Sequence, residues 1–388
     1  KKYQRLTDLV LEIEGGKRWP FKGVNAYKVI EELNLPKARR YQGAAPGAGP
    51  AVMLRDSDKL RALAEAVGED QFWEAVAEAL DCEQIYILGE IYPDQFRSPN
   101  CTRVYGQGLS RIKLEDEGGV SLSWDPTKTM FSAGNLSERK RVGNFNCKGE
   151  TVVDLFAGIG YFTLHYLCRA GAKTVHACEI NPNAMESLRL NINANKDKFK
   201  GKCVLYEKDC NDANIEDVAD RVNLGLLPNS ETGYHAACIA LKPKGGWLHI
   251  HENRCIDGPT PQARYLQRKR WAIRKAFEFT RLMRKTKGIH YDVRLMNVTQ
   301  VKSYAPHVEH LVCDLKVRMM PLTFKARMYR WWIVGGFILS KFVAVAAIAG
   351  AVVEMRRQAR VEQVREKLSL GRGDDGSYVA SFVEDAEK

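Results

Sequence analysis

No two of the ten cysteines are spaced C-x-x-C, so the 388-residue chain carries neither a zinc-ribbon knuckle nor a dithiol redox motif. Their scatter also argues against a disulfide framework and for a reducing compartment. A complete G-x-G-x-x-G is missing too: in the one strong candidate loop the third glycine is replaced by Thr163, which excludes the dinucleotide fingerprint. His249 and His251 alternate on an expected strand with no third ligand close in sequence, so they read as core or substrate-facing residues and no metal is expected. The chain opens on Lys1 without a methionine, so a start upstream is expected and any targeting signal there is not readable. Acid is scarce relative to base, with Lys+Arg 59 against Asp+Glu 47 and a net charge of +12, which favours a polyanionic partner.

What the chain does have is an organising stretch from Thr151 to Asn181. An apolar run ends on Asp154; a small-residue turn, Ala157-Gly158-Ile159-Gly160, leads into an amphipathic helix; a second apolar run ends on Glu179. Strand, glycine loop, helix and strand make half of a nucleotide-binding α/β sheet. Gly158 and Gly160 allow close backbone approach, and Glu179 is placed to accept hydrogen bonds from two ribose hydroxyls. The pattern D-x-x-A-G-x-G-x-F, with an acid one βα unit later, resembles the S-adenosylmethionine (SAM) site of class I methyltransferases.

Around this unit, strands are expected at 151–157, 174–180, 202–208, 221–227 and 245–251, and helices near 161–170, 182–194 and 232–241. That alternation predicts an α/β fold with a doubly wound, mostly parallel sheet, whose ligands lie at the carboxyl ends of the strands. A small α+β accessory module is expected over 1–110, with helices at 27–33 and 60–80, an irregular loop at 43–50 and strands at 85–91 and 102–105. Arg97 and Arg103, beside a turn there, suit either a solvated face or a phosphate contact. The transferase domain is expected over 111–318, with a helix at Ser137-Glu138-Arg139 just ahead of its first strand.

DLFAGIGYFTL, HACEINPNA, DRVNLGLLPNSE, GGWLHIHEN and VKSYAPHVEHLVCDL, in that order, are together similar to the tRNA wybutosine-synthesizing protein 2 family, close kin of the tRNA guanine-N1 methyltransferases. The likeness runs from about Tyr92 to Val317, and its N-L-G-L-L-P-x-S-E is the longer form of a motif that the kin shorten to N-L-P. It implies transfer of the 3-amino-3-carboxypropyl group of SAM to a carbon of the tricyclic wyosine precursor beside the anticodon of phenylalanine tRNA. Methyl transfer to guanine N1 is the alternative within enzymes, and an inactive, membrane-tethered RNA-binding scaffold the alternative outside them. By matching positions the resemblance assigns Ser132, Arg139, Asp154, Ala157, Gly158, Gly160, Glu179, Asp209, Cys210 and Asn223 to the cofactor, with Cys210 standing where relatives usually have Asn. It assigns Pro228, Ser230 and Glu231 to the substrate and leaves the catalytic residue unknown.

The segment 264–287 has ten basic residues and one acid. Arg268, Lys269 and Arg270 are its candidates for tRNA phosphate contact, against the plainer reading of a solvated basic face. Beyond 318 the family pattern stops. An appendix over 319–388 holds 23 residues at 331–353 with Lys341 as their one charge, long enough to cross a bilayer. The expectation is a cytoplasmic enzyme with a membrane tether there, unless that segment is a buried helix or a neighbouring reading frame joined to the gene.

Overall fold

The computed structural model describes residues 3–320 apart from 15–19, 22–25, 34, 36–37, 47, 117 and 200. The appendix and its expected bilayer span at 331–353 therefore lie outside the described residues. Among those that are described, no helix is long and apolar enough to cross a membrane.

The accessory module is built on a six-stranded sheet of order β4-β3-β2-β1-β5-β6, comprising β1 (Arg39–Gly43), β2 (Pro50–Arg55), β3 (Gln84–Ile91), β4 (Pro99–Tyr105), β5 (Ile112–Asp116) and β6 (Val120–Trp124). It is antiparallel except for β2 with β3, which are joined across α3 (Asp58–Val67) and α4 (Glu69–Leu80). These two helices replace the single one expected over 60–80, because Gly68 at φ +103° breaks the run. Strand β2 reads as a continuous apolar run because both of its faces are covered. Val52 and Leu54 pack with Leu63, Phe72 and Trp73 of the helices, while Ala51 and Met53 join a second cluster with Trp124, Ile159 and Leu164. Ile159 and Leu164 belong to the transferase core, so the sheet is a wall shared by both halves. Its strands β5 and β6 also carry it past the expected boundary at 110.

The second sheet has seven strands in the order β12-β13-β11-β10-β7-β8-β9. They are β7 (Thr151–Asp154), β8 (Thr174–Cys178), β9 (Lys202–Tyr206), β10 (Arg221–Leu224), β11 (Gly245–Cys255), β12 (Tyr291–Ala305) and β13 (Val308–Met319). The run from β9 to β11 is parallel; β13 enters antiparallel to β11 and forms a hairpin with β12. This is the expected doubly wound α/β sheet, with α7 (Pro182–Asn195) between β8 and β9; α1 (Gln4–Glu14) and α2 (Ala26–Glu32) precede β1 in the accessory module. Helices cover both faces: Val152 packs among residues of α5 (Leu136–Gly143) and α6 (Thr163–Cys168), whereas Val153 packs with those of α8 (Tyr234–Ala240) and α9 (Pro261–Lys287). Each valine is fully buried, contributing roughly 1.5–3 kcal/mol of hydrophobic stabilisation. The glycine loop is thereby fixed to a strand with no freedom to shift.

Candidate functional site

Strand β7 delivers Asp154 to the carboxyl edge with no solvent exposure. One carboxylate oxygen accepts from Thr163 Oγ1 at 2.7 Å and the other from Asn223 Nδ2 at 3.0 Å. Thr163, the residue that spoils the dinucleotide pattern, is thus the first residue of α6 and a fixed donor to Asp154. Burial raises the Asp154 pKa, and the two side-chain donors work against the shift. Asp154 consequently orients Asn223, its register partner on the neighbouring strand β10. The Oδ1 atom of Asn223 is buried without a hydrogen-bond partner.

Between these strands the loop turns on Gly158 at φ +57° and Gly160 at φ +102°. A Cβ on Gly158 would meet the Tyr161 ring at 2.9 Å, and one on Gly160 would meet Leu188 at 2.9 Å. Ala157 ties this loop to the next strand through its N–H, which donates to the Cys178 carbonyl at 2.9 Å. Glu179 follows β8 directly. The Gly158 N–H donates to its Oε2 at 2.7 Å and the Asn181 N–H to its Oε1 at 2.8 Å, so each oxygen keeps lone pairs for a ligand. Burial raises its pKa while those N–H groups oppose the rise. A carboxylate with spare acceptors and an orphaned amide oxygen suit a ligand bearing hydroxyl and ammonium donors, as SAM does.

The adenine-end candidates lie after β9. Asp209 Oδ1 accepts from the Asn211 N–H at 2.8 Å and from its Nδ2 at 2.9 Å, a turn to which sequence reasoning, stopping at Cys210, is blind. Cys210 is buried, and burial pushes its thiol up to about 12, leaving a neutral, weak donor.

Ahead of β7 lie Ser132 and Arg139, two more of the cofactor candidates. Arg139 is 1% exposed and is spent internally: Nε donates to Asp116 Oδ2 at 2.6 Å and NH1 to Asn135 Oδ1 at 2.5 Å, with the Ser132 carbonyl at 3.4 Å. Through these bonds it fixes the 132–135 turn. Ser132 stays half-buried in that turn, and its N–H donates to the Tyr161 hydroxyl at 3.2 Å. Sequence reasoning misses both anchors of this turn. Asp116, on β5, also meets His165 Nε2 at 3.1 Å. Phe131 stacks between Trp124, at a centroid distance of 4.0 Å, and Tyr161, at 5.7 Å.

On the substrate side, residues 225–230 follow β10. The Leu227–Pro228 peptide is cis, and the Pro228 carbonyl accepts from the Asn253 N–H at 2.7 Å. Ser230 is fully buried with Oγ 3.4 Å from the His251 carbonyl. Glu231 is exposed and 3.4 Å from Lys275. In α9, Arg268 forms two hydrogen bonds to Glu309 at 2.6 and 2.7 Å, which removes it from the free cations. Lys269 and Arg270 remain exposed. His249 lies between Asp314 at 2.6 Å and Arg221 at 2.7 Å, and His251 meets His310 at 3.1 Å, as core histidines do.

Residues 113–270 match the family model of the TRM5/TYW2 methyltransferase domain. The chain is 35% identical over 331 residues to the tRNA wybutosine-synthesizing protein 2 homolog of Mus musculus, covering 75% of this chain and 71% of the relative. It is also 35% identical over 291 residues to the Danio rerio homolog, covering 70% of each. The chain belongs to the tRNA wybutosine-synthesizing protein 2 family. Its fold is also that of P. horikoshii TYW2 in complex with MeSAdo, at 25% identity and a TM-score of 0.57, with 80% of this chain and 99% of that one covered. As a member of that family it is a SAM-dependent, tRNA-modifying transferase, and Asp154, Glu179 and Asn223 are its SAM-side candidates.

Proposed function

We propose that the chain transfers the 3-amino-3-carboxypropyl group of SAM to a ring carbon of the tricyclic wyosine precursor 3′ of the anticodon in phenylalanine tRNA. The carbon next to sulfur in that group bonds to the base carbon, the carbon–sulfur bond breaks, the thioether departs as methylthioadenosine and the base carbon loses its proton. SAM presents three activated carbons, and the one held in line with the nucleophile is transferred. The observation that carries this reading is the MeSAdo of the P. horikoshii neighbour, an adenosine thioether that keeps the methyl on sulfur as the by-product of this transfer must. Methyl transfer would leave the other thioether, adenosylhomocysteine.

In this reading Glu179 takes the ribose hydroxyls, the unpartnered Asn223 Oδ1 an N–H donor of SAM, and Asp209 the adenine end. The cis Pro228 segment borders the base. The exposed cations of α9, namely Arg264, Lys269, Arg270, Arg274, Arg281, Arg284 and Lys285, track the phosphate backbone. We place the activity in the cytoplasm, with a membrane contact at 331–353 as an expectation from sequence alone.

Mass spectrometry of the nucleoside after incubation with SAM and precursor tRNA tests the transfer. A gain of roughly 101 daltons supports it, and a gain of roughly 14 daltons replaces it with methyl transfer. Comparing phenylalanine tRNA with other tRNAs tests the acceptor.

A further inference from the structure

Three cations from three parts of the chain border the site and form no ion pair among the described residues: Arg39 at the start of β1, two residues before Tyr41, whose ring meets Phe131 at 6.3 Å beside the 132–135 turn; Arg97 in the turn between β3 and β4; and Lys302 on β12. The Lys302 side chain lies along Gly134, where an added Cβ would stand 2.6 Å from Nζ. Gly134 belongs to the turn that Arg139 fixes. Arg97, at φ +53°, donates from NH1 to the Leu227 carbonyl at 2.5 Å, one residue before Pro228. The turn that carries it is braced by Asp94, whose carboxylate accepts from the Ser98 N–H at 2.9 Å and whose carbonyl accepts from the Arg97 N–H at 3.1 Å. Lys302 and Arg97 therefore mark two borders of one mouth, the cofactor-side turn and the base-side loop.

Burial, followed by the fields of Arg39 and Arg97, holds the Lys302 pKa below the ordinary lysine value, so the like charges do feel one another. Like charges brought together without a counter-charge repel, and an arriving anion relieves that repulsion. Exposed rings adjoin the cluster: Phe96 precedes Arg97, and the Tyr304 ring centroid lies 5.7 Å from Lys302 Nζ, the two rings being 39% and 52% exposed. Rings beside cations suit unstacked nucleotides.

We infer that Lys302, with Arg97 and Arg39, forms the receiving site for a backbone phosphate of the RNA next to the modified base. The inference rests on the tRNA reading above. A carboxylate of SAM shares the anion chemistry, but the cluster is drawn partly from the accessory sheet and has exposed Arg39 as one member. Those features favour the RNA. The site would couple the accessory module to substrate as well as to the core.

The test uses the full chain and a tRNA transcript, with binding followed by fluorescence anisotropy across a salt series, and SAM binding followed by calorimetry. Lys302→Gln should weaken tRNA binding roughly three- to tenfold near physiological salt and reduce the slope of log K against log salt by roughly 0.7–0.9. Lys302→Arg should restore the slope, and SAM affinity should stay within about twofold. Arg39→Gln, at the exposed rim, should show the same loss of slope, which keeps the test available if Lys302→Gln is unstable. A parent that binds tRNA with a K302Q slope equal to its own overturns the site alone. Loss of SAM affinity with an unchanged tRNA slope overturns the phosphate assignment in favour of the carboxylate. A parent without salt-dependent tRNA binding overturns the tRNA reading and the site with it.

Discussion

Along one carboxyl edge of the sheet, the β7–β8 side and the β10–β12 side are built on opposite terms. At the first, polar groups arrive already engaged: Glu179 has a backbone N–H on each oxygen, Asp154 a side-chain donor on each, and Arg139 is locked by Asp116 and Asn135. At the second, exposed Lys269, Arg270 and Arg274 and the cluster around Lys302 have no acidic partner among the described residues, and Phe277 on α9 is 62% exposed. A small co-substrate must be held in one orientation if one of three carbons is to react, and pre-engaged groups supply that order in advance. A large polyanion is gathered by field and contact area, for which unpaired, solvated cations serve better. The two sides therefore differ in what a substitution should change, stability and SAM affinity on one and salt dependence on the other.

The largest effect should come from the accessory sheet's grip on the cofactor side. Asp116 is 6% exposed and joins β5 to Arg139 and His165. Asp116→Ala strands the Arg139 guanidinium in the interior, where loss of one partner of a buried pair costs about 3–5 kcal/mol. Denaturant titration measures this. A loss below about 0.5 kcal/mol, the range of surface substitutions, would mean that the accessory module only leans on the core.

Next in size is Glu179→Ala, which should reduce SAM affinity by roughly 1.5–3 kcal/mol for each ribose hydrogen bond to the charged group. Calorimetry reads it, with tRNA binding expected to hold. Unchanged SAM affinity would remove Glu179 from the ribose role and with it the contrast between the two sides.

A third effect belongs to the histidines buried beneath the β10–β13 region. Burial, then Arg141, lowers His251 to about 3; burial, then His251, lowers His310 to about 2. Unfolded histidine titrates near 6.5, so below that pH the unfolded chain takes up protons that the folded chain refuses. Stability should fall as pH drops from about 6.5 toward these folded values, by up to about 1.4 kcal/mol per pH unit for each histidine. Denaturation midpoints at pH 7.5 and 5.5 check this, and His310→Gln should flatten the trend. A pH-independent midpoint in the parent would contradict neutral burial.

How far the sequence disclosed this architecture depends on the range of the interaction. The stretch from Asp154 to Glu179 is contiguous, and its strand, glycine turn, helix and acid are visible in their own periodicities. The hairpin partner β12 is not legible as a strand because it lies at the sheet edge with much of its length exposed, so its apolar alternation is weak. Strand β1, Arg39–Gly43, lies inside its sheet between β2 and β5, but its five residues are too few and too polar to show an alternation. Arg139 and Arg268 could be named but not given their roles, since the partners that neutralise them, Asp116 and Glu309, are distant in sequence and only folding brings them near. The burial of Ser230 is likewise not legible from its motif position.

The smallest expected effect separates cations within α9 itself. Arg268 is committed to Glu309, so Arg268→Gln should mainly loosen the packing of α9 on β13 and leave the salt dependence of tRNA binding close to that of the parent. Lys269, Arg270 and Arg274 are exposed with no ion pair among the described residues. Changing those three to Gln should leave folding and SAM affinity intact while flattening log K against log salt by up to about 0.9 for each phosphate no longer neutralised. The two variants together make a control that neither supplies alone, because both reduce the positive charge of the same helix but only the triple removes charge that is free to meet phosphate. If Arg268→Gln and the triple flattened the slope equally per charge, the helix would be acting through its overall field alone. Equal slopes in the parent and the triple would return α9 to a solvated basic face and leave RNA binding to the cluster around Lys302.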